Sequence, residues 1–401
     1  MGPALTVRLK APPGSADPDG VFDAEAALRL LATSGGSDLH LKVPSPPLIR
    51  RDGALVPIED APRLMQEDTE AAVRALLTDE RKLAEWDDTG EVDFAYGISG
   101  LARFRVSAFR QRGSASLVIR VIPVEIRTME ELALPWAIKE LAEEERGIVL
   151  VTGTTGSGKS TTLAAMIDHI NSTMPKHVVT IEDPIEFLHR DKRGAINQRE
   201  VGQDTSSFTA ALRRILRQDP DVILIGEMRD EETVHTALSA AETGHLVFST
   251  VHTVDAAETV NRLIDFFPPH MHGQVRAMLA GTLKGVVSQR LVRTPQGGRV
   301  ATCEVLRMTG RVKDLIMDPT QTGRLNEVIA EGEYYGMQTF DQALFGHLKA
   351  GRITMEQAVP AASSPHDFKL LVAADGRRGT TMDDLTDAEG RTAKSNGSAL
   401  R

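Results

Sequence analysis

The sequence contains one cysteine, Cys303, in 401 residues. A single thiol forms neither an internal disulfide nor a tetracysteine zinc site, so both are excluded, and a reducing cytoplasmic environment is indicated. Long hydrophobic runs are absent as well. The longest are strand-sized, as at 148–151 and 222–225, far below the roughly 20 apolar residues of a membrane-spanning helix. We therefore expect no direct membrane insertion.

Positive charge is also scarce. The chain has 46 basic against 56 acidic residues and a net charge of −10 at pH 7, which argues against a general nucleic-acid partner. The hydrophobic fraction of 41% is that of a globular protein. The length suits two domains better than a single core.

Changes in periodicity divide the chain into segments. Up to residue 126, mixed helix and strand patterns predict an α+β domain, whereas from residue 147 buried strands alternate with helices. The second pattern predicts a mainly parallel sheet covered on both faces, and hence an α/β fold. The predicted segments are a flexible arm (1–21), an N-terminal domain (22–126), a linker (127–146), a parallel-sheet core (147–300), a small C-terminal subdomain (301–375) and a disordered tail (376–401).

Individual elements follow from apolar spacing and turn residues. In the first domain we expect a helix at 22–33, a strand at 38–43, a hairpin around Asp52-Gly53, a helix at 67–85 and strands at 104–109 and 116–122. In the core we expect strands at 148–152, 177–182, 222–226 and 246–250, with helices at 159–172, 206–217 and 230–242. Two strand-like pieces within 299–306 and helices near 309–317, 338–350 and 354–362 complete the prediction.

Residues 147–162 read GIVLVTGTTGSGKSTT, an apolar strand followed by a glycine-rich loop and a helix. This order predicts a nucleoside triphosphate site, since glycines with positive φ bring backbone N–H groups against phosphate oxygens. Lys159 is expected to reach the β- and γ-phosphates, and the Ser160 hydroxyl to bind Mg²⁺. The predicted nucleotide ligands of this segment are Gly153, Thr154, Thr155, Gly156, Ser157, Gly158, Lys159, Ser160 and Thr161.

Hydrolysis also needs carboxylates, and two segments supply them. The apolar strand at 222–226 delivers Glu227 to its carboxyl end, where ligands bind in open α/β sheets, so Glu227 is the predicted water-activating base. Gly226 stands where many NTPases have a metal-binding Asp. We therefore expect Glu186 or Glu182, from the run TIEDPIE, to complete the Mg²⁺ shell, partly through water. The alternative is that these acids only solvate a loop.

Two histidines and a group of arginines are further candidates. His245 and His252 bracket the strand at 246–250, so they do not share a metal, and His252 is placed to sense the γ-phosphate. A structural role is the common alternative for either histidine. The arginines of the first domain form a solvated basic face or include arginine fingers. They are Arg103, Arg105, Arg110, Arg112 and Arg120.

Taken together, these motifs resemble those of the secretion ATPases of the type II/type IV pilus superfamily, most closely the pilus retraction branch linked to twitching motility. The resemblance covers residues 22 to about 372. It rests on SDLH at 37–40, GTTGSGKST at 153–161, TIEDPIEF at 180–187, GEMRD at 226–230 and STVHTVDA at 249–256.

The resemblance implies a PAS-like N-terminal domain, a RecA-like P-loop ATPase domain and a hexameric ring that binds ATP and Mg²⁺. It also implies a cytoplasmic motor held at the inner membrane by a pilus platform protein. By match of motif, Lys159 and Ser160 bind phosphate and metal, Glu186 has the Asp-box role, Glu227 is the base, His252 with His245 has the His-box role, and Arg105 and Arg120 touch the nucleotide.

One departure concerns the direction of the motor. Retraction members usually carry a segment close to AIRNLIRE, of which 310–318 keeps only the hydrophobic spacing, whereas GMQTFDQAL at 336–344 and the lack of a tetracysteine module favour retraction. The alternatives are a pilus assembly or type II secretion ATPase, a weakly hydrolysing regulatory ring subunit, and a nucleic-acid translocase, which the acidic balance disfavours.

Overall fold

A computed structural model describes residues 22–51, 53–122 and 125–374. The expected flexible arm at 1–21 and disordered tail at 376–401 lie outside the described residues. The chain divides into two compact units, with the boundary between Glu125 and Ile126.

In its described residues, the first unit is an antiparallel sheet with three helices. Its strands are β1 (Asp38–Leu41), β2 (Leu48–Arg51), β3 (Ala54–Pro57), β4 (Glu91–Ile98), β5 (Ala102–Gln111) and β6 (Ser114–Ile122). Its helices are α1 (Ala24–Thr33), α2 (Gln66–Leu76) and α3 (Glu80–Thr89). The strand order is β3-β2-β1-β6-β5-β4, and every pair is antiparallel. The helices and the inner face of the sheet share one hydrophobic core.

Helix α1 shows how a local pattern sets an element of this unit. The Asp23 carboxylate accepts a hydrogen bond from the Ala26 N–H at 2.9 Å, which caps the helix. The expected apolar stripe is the buried one and consists of Ala24, Ala27, Leu28 and Leu31. Both the helix and its buried face are thus confirmed.

The single helix expected at 67–85 is wrong, because the structure has two helices there. Helix α2 ends at Leu76, and Leu77 has extended backbone angles. Asp79 then starts α3 by accepting a hydrogen bond from the Arg81 N–H at 2.8 Å. A side-chain cap in the middle of a charged stretch therefore outweighs the continuous helical spacing.

The second unit contains a seven-stranded sheet. Its strands are β7 (Gly147–Thr152), β8 (His177–Glu182), β9 (Ala195–Glu200), β10 (Val222–Ile225), β11 (Leu246–Val251), β12 (Leu283–Arg293) and β13 (Arg299–Arg307). Its helices are α4 (Trp136–Ala142), α5 (Lys159–Thr173), α6 (Phe208–Ile215), α7 (Glu231–Glu242), α8 (Ala256–Asp265), α9 (His272–Thr282), α10 (Gly310–Met317), α11 (Leu325–Glu331), α12 (Phe340–Lys349), α13 (Met355–Ala358) and α14 (Pro365–Ala373).

The sheet order in this unit is β13-β12-β7-β11-β10-β8-β9. Only β13 runs antiparallel to its neighbour. Alternate residues of the central strands enter two separate cores: Ile148 and Leu150 pack on the side of α6 to α11, and Val149 and Val151 pack on the side of α4 and α5. This confirms the predicted α/β sheet covered on both faces.

The structure differs from the expected segment limits at two places. The segment predicted as a linker contains α4, whose residues Ile138 and Leu141 are fully buried, and α4 packs on α5 and β12. Residues 299–307 form one strand rather than two pieces, and β13 belongs to the main sheet. Both elements bury apolar residues in the core of the second unit, although neither belongs to the regular alternation of strands and helices on which the predicted limits rested.

Cys303 lies on β13 and is fully buried, and burial raises the pKa of its thiol to about 12. Over the described ranges, the chain has no helix that combines the length and the apolar character needed to cross a membrane.

Candidate functional site

The glycine-rich loop connects β7 to α5 in the conformation that the sequence predicts. Gly153, Gly156 and Gly158 have φ values of +138°, +80° and +91°. In this left-handed region a residue with a Cβ is strained. A Cβ on Gly153 would lie 2.4 Å from the Gln289 carbonyl oxygen, and one on Gly158 would lie 2.7 Å from Gln289 Nε2. Conformation and close approach together require glycine at 153 and 158.

Lys159 projects from the first turn of α5 back over the loop. Its Nζ donates to the carbonyl oxygens of Gly153 at 2.8 Å and Thr154 at 3.1 Å. Burial lowers the pKa of the Lys159 ammonium, whereas the charges of Glu186 and Glu227 raise it. The lysine therefore lies within electrostatic reach of both predicted catalytic carboxylates.

The loop also fits a phosphate group. The Ser157 hydroxyl oxygen is buried and has no hydrogen-bond partner in the described part of the chain. The loop leads into the amino end of α5, a 15-residue helix, whose free N–H groups and partial positive charge favour an anion. An unpaired buried hydroxyl beside a helix amino end and an ammonium group is well suited to phosphate oxygens.

Glu227 follows β10 at the carboxyl end of the sheet, as predicted. Its Oε2 lies 2.6 Å from Arg229 Nε and 3.6 Å from His252 Nε2. The neighbouring strand β11 fixes this end of β10, because the Thr250 hydroxyl donates to the Gly226 carbonyl at 2.7 Å. Only 12% of the Glu227 side chain is exposed, so its position is well defined.

Glu182 and Glu186 differ in their availability to a ligand. The Glu182 carboxylate accepts hydrogen bonds from the Thr180 hydroxyl at 2.6 Å and from Gln198 Nε2 at 3.1 Å. Burial raises the pKa of Glu182, although these hydrogen bonds lower it. Glu186 is exposed. Of the two, Glu186 is the more accessible carboxylate for a metal ion or its water.

These groups line a cavity of about 580 Å³. The predicted site residues at its wall are Thr155, Gly156, Gly158, Lys159, Ser160, Thr161, Glu182, Glu186, Glu227 and His252. Within the described ranges no cluster of three or more His, Cys, Asp or Glu side chains is arranged to hold a metal ion. A cation at Ser160 and Glu186 would thus need further oxygen ligands, which nucleotide phosphates and water supply.

The two histidines are far apart. His252 directly follows β11 and faces Glu227, whereas His245 precedes the same strand and its Nδ1 contacts the Ala240 carbonyl at 3.0 Å. Six strand residues separate them, a span of about 20 Å at the usual rise per residue. His245 is not part of the cavity wall, and its nucleotide-binding role stays a prediction.

Four of the five candidate arginines of the first unit divide into two groups. Arg110 stacks on Trp86, 4.6 Å from the ring centroid, and Arg112 occupies the β5–β6 turn with a φ of +52°. Arg105 and Arg120 are exposed register partners on adjacent strands. Two like charges directly opposite each other destabilise a sheet, so the pairing of these two arginines with each other does not stabilise the fold.

Arg120 also forms a salt bridge of 2.8 Å with the buried carboxylate of Asp38. Asp38 is the acidic residue of the SDLH motif. The roles of Arg105 and Arg120 as nucleotide ligands stay predictions.

The comparison with protein families agrees with this site. A family profile described as "Type II/IV secretion system protein" matches residues 50–335. The chain belongs to this family. The matched range includes the phosphate loop, both acidic segments and His252, and the family resemblance inferred from the motifs is confirmed.

Several members of the family are similar over most of their length. The type IV pilus retraction ATPase PilT of Pseudomonas aeruginosa is 45% identical over 347 residues, which cover 86% of this chain and 100% of that protein. A twitching motility protein of Neisseria gonorrhoeae is 48% identical over 314 residues, covering 78% of this chain and 83% of that protein. The crystal structure of a PilT retraction motor with bound ADP matches with a TM-score of 0.78 at 45% identity, covering 84% of this chain and 97% of that one.

These similarities confirm the predicted fold, an α/β chain in which an N-terminal domain precedes an ATPase domain of the secretion ATPase type. The sequence reasoning missed several polar residues of the site in this family member, of which two contact predicted site residues directly. Arg229 lines the cavity and pairs with Glu227, although it stands in the quoted run GEMRD. Gln289 contacts the phosphate loop from β12, and no local pattern marks it.

A buried carboxyl on β13 gives this family member a pH-dependent stability. Glu304 Oε1 accepts a hydrogen bond from the Ala256 N–H at 2.9 Å. The pKa of Glu304 is raised from 4.5 to about 7, mainly by burial and also by Asp255, although the hydrogen bond from Ala256 and the neighbours Arg290 and Ser288 lower it. The folded protein therefore binds this proton more tightly than the unfolded chain does, and the corresponding stability is lost as pH rises through about 7.

We expect Glu304→Gln to remove this pH dependence, because the amide is neutral and still accepts from Ala256. Relative to the variant, the wild-type free energy of unfolding should fall by about 3 kcal/mol at most between about pH 5 and pH 8. Urea unfolding of both proteins at the two pH values measures this. Parallel pH slopes would mean that Glu304 titrates normally.

Proposed function

We propose that the protein is a motor ATPase that couples ATP hydrolysis to the retraction of type IV pili, as in twitching motility. The observation that carries this proposal is the cavity at the carboxyl end of the parallel strands. Its wall contains the phosphate loop with the Lys159 ammonium on one side and the carboxylates of Glu186 and Glu227, which come from other loops. The similarity to a retraction ATPase along the whole of that relative supports the direction of the motor.

The phosphate loop and Lys159 bind the triphosphate. Backbone N–H groups at the start of α5 face the β- and γ-phosphate oxygens, and Lys159 moves from its loop carbonyls onto the same oxygens. Ser160 and Glu186 would hold Mg²⁺, and Glu182 would contribute through water. The bound ion would neutralise phosphate charge. These contacts fix the γ-phosphate beside Glu227.

Glu227 is the general base. In this proposal its carboxylate accepts the proton of the water that attacks the γ-phosphate in line with the leaving oxygen. Arg229 and His252 both contact Oε2 of this carboxylate, which limits its rotation. We also expect His252 to sense whether the γ-phosphate is present.

The oligomer and the partners belong to the same proposal. We expect a hexameric ring in the cytoplasm, bound to the inner membrane only through a pilus platform protein. Arg105 and Arg120 of the N-terminal domain are expected to touch the nucleotide, so that ATP binding and release move one domain against the other.

Retraction is the proposed direction although the segment at 310–318 departs from AIRNLIRE. This segment forms α10, which buries Val312, Leu315 and Ile316 in the ATPase core. The apolar positions that it retains are therefore packing positions. The exposed polar residues of α10 are the ones that are free to differ between motors with the same fold.

Deleting the gene and imaging surface pili tests the direction. Loss of a retraction motor should increase the number and length of surface pili and abolish twitching, because assembly continues unopposed. A Glu227→Gln copy supplied in trans should fail to restore twitching, whereas a wild-type copy should restore it. A strain without surface pili would instead identify an assembly motor, and a strain with normal pili and normal twitching would contradict the proposal.

A further inference from the structure

Gln289 is a buried polar residue on β12 with both ends of its amide in use. Its side chain is almost inaccessible, with 2% of the residue exposed. Nε2 donates to the Ser157 carbonyl oxygen at 2.8 Å, and Oε1 accepts from the Thr162 hydroxyl at 2.7 Å. One side chain thus joins the phosphate loop and the first turn of α5 to the neighbouring strand of the sheet.

We propose that Gln289 is a positioning residue for nucleotide binding, whose amide holds the phosphate loop in the conformation that accepts phosphate. This inference rests on the proposed function, because it presumes that the loop binds a nucleotide. Gln289 itself does not touch the nucleotide and acts through Ser157, Gly158 and Thr162.

The geometry of the peptide bond explains how the amide acts. In a trans peptide the C=O and N–H groups point in opposite directions. The hydrogen bond from Gln289 draws the Ser157 carbonyl towards β12, so the N–H of Gly158 points the other way. Gly158 lines the cavity. Gln289 therefore orients one of the N–H groups on which phosphate binding depends.

The Ser157 carbonyl determines which way round the amide lies. Because a carbonyl oxygen can only accept, the NH₂ group is directed at Ser157 and Oε1 at the Thr162 hydroxyl. A flipped amide would lose the hydrogen bond to Ser157, although the hydroxyl could still accept from the NH₂ group. A carboxylate at this position would oppose its oxygen to the Ser157 carbonyl. Position 289 therefore requires an amide, and a carboxylate of the same length does not replace it.

Close packing keeps the arrangement rigid. The Gln289 backbone oxygen and side-chain Nε2 occupy the space that a Cβ at Gly153 or Gly158 would need. On the opposite side of the strand, the Ser288 hydroxyl accepts a hydrogen bond from Thr152 at 3.1 Å, which ties β12 to the end of β7. Two adjacent residues of β12, Ser288 and Gln289, thus hold the loop at Thr152 and at Ser157.

The test uses the full-length protein with MgADP and MgATP as probes. We expect Gln289→Leu and Gln289→Glu each to raise the Kd for MgADP by about tenfold or more, since a buried carbonyl loses its donor. The KM for MgATP should rise in parallel, with a smaller change in kcat. Gln338→Leu is the matched control: Gln338 Nε2 donates to the Cys303 carbonyl at 2.8 Å in the same sheet, and its loss should leave the Kd within about twofold.

A double-variant cycle separates positioning from general stability. Thr162→Val should also raise the Kd for MgADP, and combining it with Gln289→Leu should add little, since both act on one amide. If Gln289→Leu does not fold, Thr162→Val and Gln289→Glu carry the test alone. An unchanged Kd in the folded variants, with a melting temperature lowered as in Gln338→Leu, would overturn the proposal.

The wild-type protein distinguishes this inference from the proposed function. If wild type binds neither MgADP nor MgATP, the nucleotide function fails together with everything that depends on it. If wild type binds and Lys159→Ala does not, the nucleotide site stands, and only the Gln289 variants then decide the positioning role.

Discussion

Replacing Glu227 with glutamine is expected to lower kcat for ATP hydrolysis by about 10²- to 10⁴-fold, the usual contribution of a general base. Glutamine has almost the same shape but cannot accept the proton of the attacking water. The affinity for MgATP should persist, because the phosphate loop and Lys159 are unchanged. Phosphate release at saturating MgATP, together with nucleotide binding measured directly, checks both parts of this expectation.

Glu232→Gln is the control for this experiment. Glu232 is an exposed residue of α7 that pairs with Arg213, so the same chemical change there should leave kcat within about twofold of wild type. A Glu227→Gln protein that hydrolyses ATP at the wild-type rate would show that another group activates the water. The proposed role of Glu227 would then be wrong.

Replacing Lys159 with alanine is expected to lower kcat/KM for MgATP by at least about a hundredfold, as two charge-assisted hydrogen bonds to phosphate are lost. The unliganded protein should keep its stability, because burial lowers the pKa of the Lys159 ammonium and its removal relieves that cost. Steady-state kinetics and thermal unfolding without nucleotide measure the two effects.

Lys192→Ala provides the matched control. Lys192 Nζ forms a salt bridge of 2.7 Å with Asp168, on the same helix α5 but at the surface. Its loss should leave kcat/KM within about twofold of wild type. Equal kinetics for the Lys159 and Lys192 variants would place the γ-phosphate away from the loop.

The fold could be predicted best where the physics is local. Strands β7, β10 and β11 are buried at every residue, so they appear in the sequence as uninterrupted apolar runs. Strand β9 was missed because it lies at the sheet edge and reads AINQRE, with polar residues at most positions. Strand β4 was missed as well, since its alternation of buried and exposed residues is short and contains Gly97.

The candidate site shows the same contrast. The glycines, Lys159 and the acid at the end of β10 belong to contiguous motifs, so their approximate positions follow from the strand–loop–helix order. Gln289 does not, because the residue that its amide contacts in the loop lies 132 positions earlier in the chain. Asp79 was recognisable in principle, since an Asp before a helical run is an N-cap signal.

Helix α4 has a practical consequence for dissecting the molecule. A fragment that begins at Gly147, at the first strand of the motor sheet, would lack the apolar side chains that cover α5 and β12. The methyl groups of Leu141 pack closely on β12, because a Cβ added at Gly285 would lie 2.8 Å from them. Removing α4 would therefore expose an apolar groove. The smallest fragment of the ATPase unit that we expect to fold by itself therefore starts near residue 126. Shorter fragments are expected to aggregate when expressed.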